Sequence, residues 1–228
     1  MGKGAAVTSF RSLALLILIA SGLASCGSDE TRLPGFTAFR KAIVQKLAGP
    51  SGPQRAPQLT RAGIEAEGRP LLFARLESRD AEAVLILLES NTQAETWATP
   101  DGITLSLRDG VVIATRGLGV DLMGATAPDA RPMTVAAGVQ VRNFSWLNGA
   151  DEITTEPFAC RITALGPVTL EIVARDYQTQ HLREACLSDQ TRQAFQNDYW
   201  FETRGKIRQS RQWLGPKAGY LSLRHLSP

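Results

Sequence analysis

Histidine is scarce in this sequence: 228 residues contain two, His181 and His225. No HExxH or comparable ligand spacing joins them, so no metal site is expected, and each reads as a surface or hydrogen-bonded structural histidine. Cysteine is nearly as rare, with three. No Gly-x-Ser-x-Gly elbow occurs and no Gly-rich loop ends in Lys-Ser or Lys-Thr, which removes the usual signatures of serine hydrolases and phosphate-binding loops. No cofactor is implied. The unbroken apolar run Leu13–Ala20 is too short to span a bilayer stably. An excess of one charge is also missing: Lys and Arg number 25 against 22 Asp and Glu. Lys3 and Arg11 fall in the first 25 residues, where there is no carboxylate, so the remainder is within one charge of neutral. That balance argues against a nucleic-acid partner or an anionic membrane held by bulk charge. What remains, 43% hydrophobic and 21% charged, is an ordinary globular mix with enough apolar residues for a sizeable core.

The front of the chain carries an address. Lys3 and Arg11, the apolar run and the small residues after it make residues 1–25 a bacterial export signal. The run ends in Leu23-Ala24-Ser25-Cys26, which resembles the lipobox of lipoproteins, cut before the cysteine. Sulfur is the nucleophile that takes up the diacylglyceryl group, and small side chains before it fit the peptidase. Cys26 is therefore the expected lipidation site, with an incidental cysteine in an ordinary signal as the bland alternative. Several acyl chains, at about 0.8 kcal/mol per buried methylene, make a permanent anchor. Gly27 in place of Asp resembles the pattern that sorts lipoproteins to the outer membrane. With Cys26 assigned to lipid, Cys160 and Cys186 remain, and an even pair in an oxidising compartment is most simply a disulfide. Two separate buried thiols are the other reading.

Residues 26–33 form a polar tether. In residues 34–48, Phe36, Phe39, Ile43 and Leu47 recur at helical spacing before Gly49-Pro50, which predicts one amphipathic helix. Pro50–Pro57 is a loop by composition. From Leu71 the period changes to two. Ile103, Leu105 and Leu107 alternate with polar residues, and Asp109-Gly110 turns the chain into Val111, Ile113 and Thr115. The run Val84–Leu88 is apolar on both faces and belongs centrally in a sheet or under the helix. Val168, Leu170 and Ile172 alternate after a turn expected at Leu165-Gly166-Pro167. Residues 199–203 and 207–213 flank Arg204-Gly205-Lys206, and a last strand is predicted over Tyr220–His225. Strands at short spacing with no alternating helices predict a mainly β protein: an antiparallel meander curled into a barrel-like domain over residues 34–228, with one N-terminal amphipathic helix.

Candidates for chemistry are few. Arg116-Gly117-Leu118-Gly119-Val120-Asp121 reads as a bend with an Arg–Asp contact rather than a ligand loop. Asp121, Asp151, Glu152, Glu156, Asp176, Glu184, Asp198 and Glu202 could furnish a glycosidase pair, which requires two carboxyls across a cleft. Most exposed carboxylates simply keep a β surface soluble. Of Trp97, Trp146, Trp200 and Trp213, the last two flank the hairpin that carries Arg204, Lys206, Arg208 and Arg211. Trp200, Arg208, Arg211 and Trp213 are therefore the candidate surface for an acidic glycan, against a core role for the tryptophans.

The C-terminal half carries a resemblance. Phe158-Ala159-Cys160-Arg161, His181-Leu182-Arg183-Glu184-Ala185-Cys186, Asn197-Asp198-Tyr199-Trp200 and Gln209-Ser210-Arg211-Gln212-Trp213-Leu214-Gly215-Pro216 stand in the order found in the YjbF family of lipoproteins. Arg116–Leu122 and the lipobox resemble the same family, also called group 4 capsule polysaccharide lipoproteins. The resemblance implies a barrel-like periplasmic domain tethered to the outer membrane, assisting secretion of exopolysaccharide or capsule and lacking established catalytic residues. It also implies acylation of Cys26 and a matched pair in Cys160 and Cys186. The expected partners are the membrane, through the lipid, and an acidic exopolysaccharide or another export protein. The alternatives are a periplasmic polysaccharide hydrolase and a structural envelope protein without a glycan ligand.

Overall fold

A computed structural model describes residues 58–127, 139–203 and 205–227. The export signal, Cys26, the tether, the helix predicted over 34–48 and Arg204 lie outside the described residues. The first described element is a short helix, α1 (Arg61–Ala66), capped by the Thr60 hydroxyl, which accepts from the Gly63 N–H. Twelve strands follow in one antiparallel sheet. On one side of it lie β1 (Leu71–Leu76), β2 (Ala81–Ser90), β3 (Glu95–Ala98), β4 (Thr104–Arg108) and β5 (Val111–Arg116). On the other lie β6 (Gly124–Ala125), β7 (Val139–Leu147), β8 (Ile153–Glu171), β9 (Asp176–Leu187), β10 (Ala194–Glu202), β11 (Ile207–Gly215) and β12 (Gly219–His225). Neighbours in the chain are neighbours in the sheet, as a meander requires, except that β5 and β6 stand at its two edges and β1 pairs with β12, Leu72 opposite His225.

The two sheet edges are brought together by the segment after β5. Thr115 N–H donates to the Leu122 carbonyl at 2.9 Å, and Met123 N–H to that of Ser145 on β7 at 2.8 Å. The sheet is thereby nearly closed into a barrel. Arg116 and Asp121 do not meet in the expected contact, because each grips backbone instead. Arg116 donates to the carbonyls of Thr115 and Leu122, while Asp121 accepts from the Thr115 hydroxyl and the Gly117 and Leu118 N–H groups. The bend reading stands, with these two residues fastening one sheet edge to the other.

Two turns show how local sequence sets the wall. Asp109 (φ 49°) and Gly110 (φ 82°) make the tight β4–β5 hairpin. A Cβ on Gly110 would lie 2.9 Å from that of Ile207, so only glycine lets this turn seat against β11. There the Gln212 side chain accepts from Val112 N–H and donates to the Gly110 carbonyl. A bulge pairs Leu107 with Val112, which buries Val112 and leaves the predicted Ile113 half-exposed. The turn expected at Leu165-Gly166-Pro167 is also a bulge: β8 runs straight through it, with Gly166 at φ 107°. The chain reverses later, at 172–175, where Ile172 N–H donates to the Arg175 carbonyl.

The core fills the barrel. Phe144, Phe158, Phe195 and Trp213 form an aromatic cluster, Phe195 stacked on Trp213 at 4.2 Å between centroids and Phe144 edge-on to Phe158 at 5.5 Å. Leu72, Leu85, Leu107 and Leu223 surround it. Each such side chain contributes about 1.5–3 kcal/mol on burial. Val84, Leu85 and Ile86 are all buried, as a central strand predicts, whereas Leu88 at the end of the same run is exposed. Cys160 on β8 lies directly opposite Cys186 on β9, and the two are disulfide-bonded. Among the described residues no helix is long and apolar enough to cross a membrane.

Candidate functional site

The four residues of the predicted glycan surface do not share a surface. Trp213 is 5% exposed and packs in the aromatic cluster. A register shift between Trp213 and Gly215 lets consecutive residues, Trp213 and Leu214, both be buried. A Cβ on Gly215 would lie 2.5 Å from the Trp146 indole nitrogen, which donates to the Leu214 carbonyl. Arg208 is 3% exposed. Its Nε and Nη2 donate to the two Glu202 oxygens at 3.2 and 2.9 Å, Nη1 donates to the Ser227 carbonyl, and the guanidinium lies 4.2 Å from the Tyr177 ring centre. Both residues were expected outside because strand alternation was read without the bulges and without the ion pair.

Trp200 and Arg211 do lie on the face away from the core, half-buried. The Trp200 indole stacks on the imidazole of His181 at 4.4 Å, and His181 Nε2 is 2.8 Å from Asp198 Oδ1, which also accepts from Arg183 Nε at 2.9 Å. Arg211 Nη2 donates to Glu77 at 2.7 Å, and its guanidinium covers the Tyr220 ring at 3.5 Å. The bond from Arg211 holds the Glu77 carboxyl below its usual range. This face is a lattice of paired charges rather than an open basic strip.

Inside the barrel, one oxygen of Glu184 accepts from Arg142 (2.8 Å), Asn197 (2.8 Å) and the Tyr199 hydroxyl (3.1 Å), and all four residues are buried. The other oxygen, Oε1, has no hydrogen-bond partner among the described residues. Burial pushes the Tyr199 phenol well above its ordinary pKa, and the Glu184 charge adds to this. Burial also opposes the Arg142 charge, but Glu184 outweighs it and the guanidinium pKa is raised. The Glu184 carboxylate and the sulfurs of Cys160 and Cys186 lie within 4.8 Å of one another. The sulfurs are bonded to each other, so neither offers a thiolate to a metal. None of this network was singled out as a unit in the sequence. Its signal was a polar residue on an apolar stripe: Glu184 between Leu182 and Cys186, and Asn197 between Phe195 and Tyr199.

At the barrel end formed by the β8–β9 and β10–β11 turns lies a polar cavity of about 430 Å³. Arg175, Asp176, Tyr177 and Gln178 line one side, and Glu202, Thr203 and Arg208 the other. The Tyr177 side chain is buried and its hydroxyl has no hydrogen-bond partner among the described residues. Arg61 of α1 steadies this end, donating to the carbonyls of Ile172, Val173 and Leu226. Of the eight candidate hydrolase carboxylates, Asp176 and Glu202 meet here. The bonds from Arg208 occupy both Glu202 oxygens. Elsewhere Asp121 and Glu184 are spent on internal bonds, and Asp198 on His181 and Arg183.

The fold has a solved counterpart. The crystal structure of the hypothetical lipoprotein YmcC from Escherichia coli (K12) superposes with a TM-score of 0.69 at 20% identity, covering 87% of this chain and 98% of that one. No curated protein matches the sequence. The family model described as group 4 capsule polysaccharide lipoprotein gfcB, YjbF, matches residues 36–226, a span that takes in every strand of the barrel, and the chain belongs to that family.

Proposed function

We propose that this chain is a non-catalytic lipoprotein, anchored through Cys26 to the periplasmic face of the outer membrane, that supports capsule or exopolysaccharide assembly or export by binding the polymer or another export component. The observation that carries the reading is family membership across the whole barrel. The spent carboxylates support the non-catalytic part, since with both oxygens bonded to Arg208, Glu202 has none free to carry a proton to a leaving group. Deleting the gene and measuring surface and secreted polysaccharide tests the role. A loss restored by the wild-type gene but not by Cys26→Ser is the expected result, with palmitate-analogue labelling absent from the variant. Unchanged polymer in the deletion strain would refute the role. The one observation on the side of a hydrolase is that Asp176 and Glu202 share a cavity, and cleavage of the polymer by the purified protein would favour that second reading.

A further inference from the structure

We infer that the cavity at the β8–β9 and β10–β11 turns is a subsite for one uncharged sugar ring of a polysaccharide. The inference rests on the proposed function and assigns the place where the polymer sits. Its volume of about 430 Å³ is that of a small-ligand site. Among the described residues the charges of its lining cancel, two guanidiniums against two carboxylates, and Glu202 with Arg208 already form a closed pair. An anionic unit would therefore have to be desolvated against Asp176 and Glu202 with no net charge in its favour.

The lining also has unspent hydrogen-bonding capacity of both kinds. The Asp176 carboxylate and the Thr203 hydroxyl have no hydrogen-bond partner among the described residues, and the Arg175 guanidinium has the Tyr177 ring, 5.5 Å away, as its contact. The decisive group is Tyr177. It is 5% exposed, and its hydroxyl is enclosed without a hydrogen-bond partner among the described residues. A ligand hydroxyl completes that bond once the exposed Arg175 side chain beside the ring moves aside. Adjacent sugar hydroxyls each donate and accept, which suits a wall where an acceptor (Asp176) stands beside a donor (Arg175) and hydroxyls (Tyr177, Thr203). The turn that delivers Arg175 and Asp176 is held in an unfavourable backbone, Val173 at φ 49° and Ala174 at φ 55°, clamped by Arg61.

The test is calorimetric titration of the full acylated chain in detergent. The probes are neutral oligosaccharides released by mild acid from the producing strain's own polymer, with alginate oligosaccharides as the acidic comparison. Asp176→Asn is expected to weaken binding of the neutral probe about tenfold or more, the effect of one hydrogen bond to a charged group. Tyr177→Phe is expected to weaken it several-fold while the melting temperature of the ligand-free protein stays level or rises. A hydroxyl with a purely structural role would not give that combination. Unchanged affinity in both variants, tighter binding of alginate, or no binding of the neutral probe by the wild type would each overturn the inference. If deletion of the gene still depletes surface polymer after such a result, only the assignment of the cavity falls.

Discussion

Replacing Glu184 by Gln removes the counter-charge of a guanidinium that is 2% exposed. The expected loss is about 3–5 kcal/mol of unfolding free energy, read from urea titration, because Arg142 is left charged and buried. Adding Arg142→Met to Glu184→Gln is expected to recover part of it, since the buried charge is removed while the amide oxygen at 184 still accepts from Asn197 and Tyr199. A double variant as unstable as Glu184→Gln would contradict this account of the network. His225 gives a pH dependence of defined sign. Burial, with the nearby charges of Lys206 and Arg208, pushes its pKa down from 6.5 to about 3. Between those values the unfolded chain binds a proton that the native imidazole, edge-on to Trp97, refuses. Stability from this residue is thus complete above pH 6.5 and is lost as pH falls toward 3. Thermal melts across that window should fall more steeply for the wild type than for His225→Gln, and parallel curves would contradict the assignment. Legibility at this scale divides by chemistry. The pairing of Cys160 with Cys186 could be read from compartment and count. The burial of Arg208 could not, because its partners Glu202, Tyr177 and the Ser227 carbonyl are brought to it by three different segments.

Strand periodicity was legible where the burial alternates without a break, as at Leu105 and Leu107 of β4 and along β12, and misleading where a bulge shifts it by one residue. Bulges at Gly166 and near Trp213 explain the misplaced turn and the tryptophan assigned to the wrong side, because one extra residue exchanges the two faces of a strand. The true β8–β9 turn was hidden for a different reason. Its central residues, Val173 and Ala174, hold positive φ that glycine and asparagine favour, so nothing in the sequence marks a hairpin. The Val173→Asn, Ala174→Gly double variant installs the preferred pair and is expected to raise stability by about 1–2 kcal/mol. A loss of stability in chemical denaturation would mean that the side chains at 173 and 174 contribute more packing than the backbone strain costs.

At the scale of the molecule, the order of strands follows from successive hairpins, and so the meander could be read from sequence. The curl into a barrel was likewise read from the short strand spacing, but what holds it was not: the distant β1–β12 pairing and the separate backbone bonds of Arg116 and Asp121 beside the sheet edge. The barrel that results has an apolar aromatic centre and an outer face of paired charges. Its polar recess lies at the end beside α1, in a family associated with capsule polysaccharide. A binder and a hydrolase on this frame differ in one observable, the fate of the polymer. The most direct measurement is size-exclusion chromatography with light scattering of the strain's own polysaccharide, incubated with the full acylated chain in detergent. The account predicts that the protein elutes with the polymer and that the polymer's mass stays constant. A falling mass would contradict it, and protein eluting apart from an intact polymer would contradict the polymer-binding form of the role.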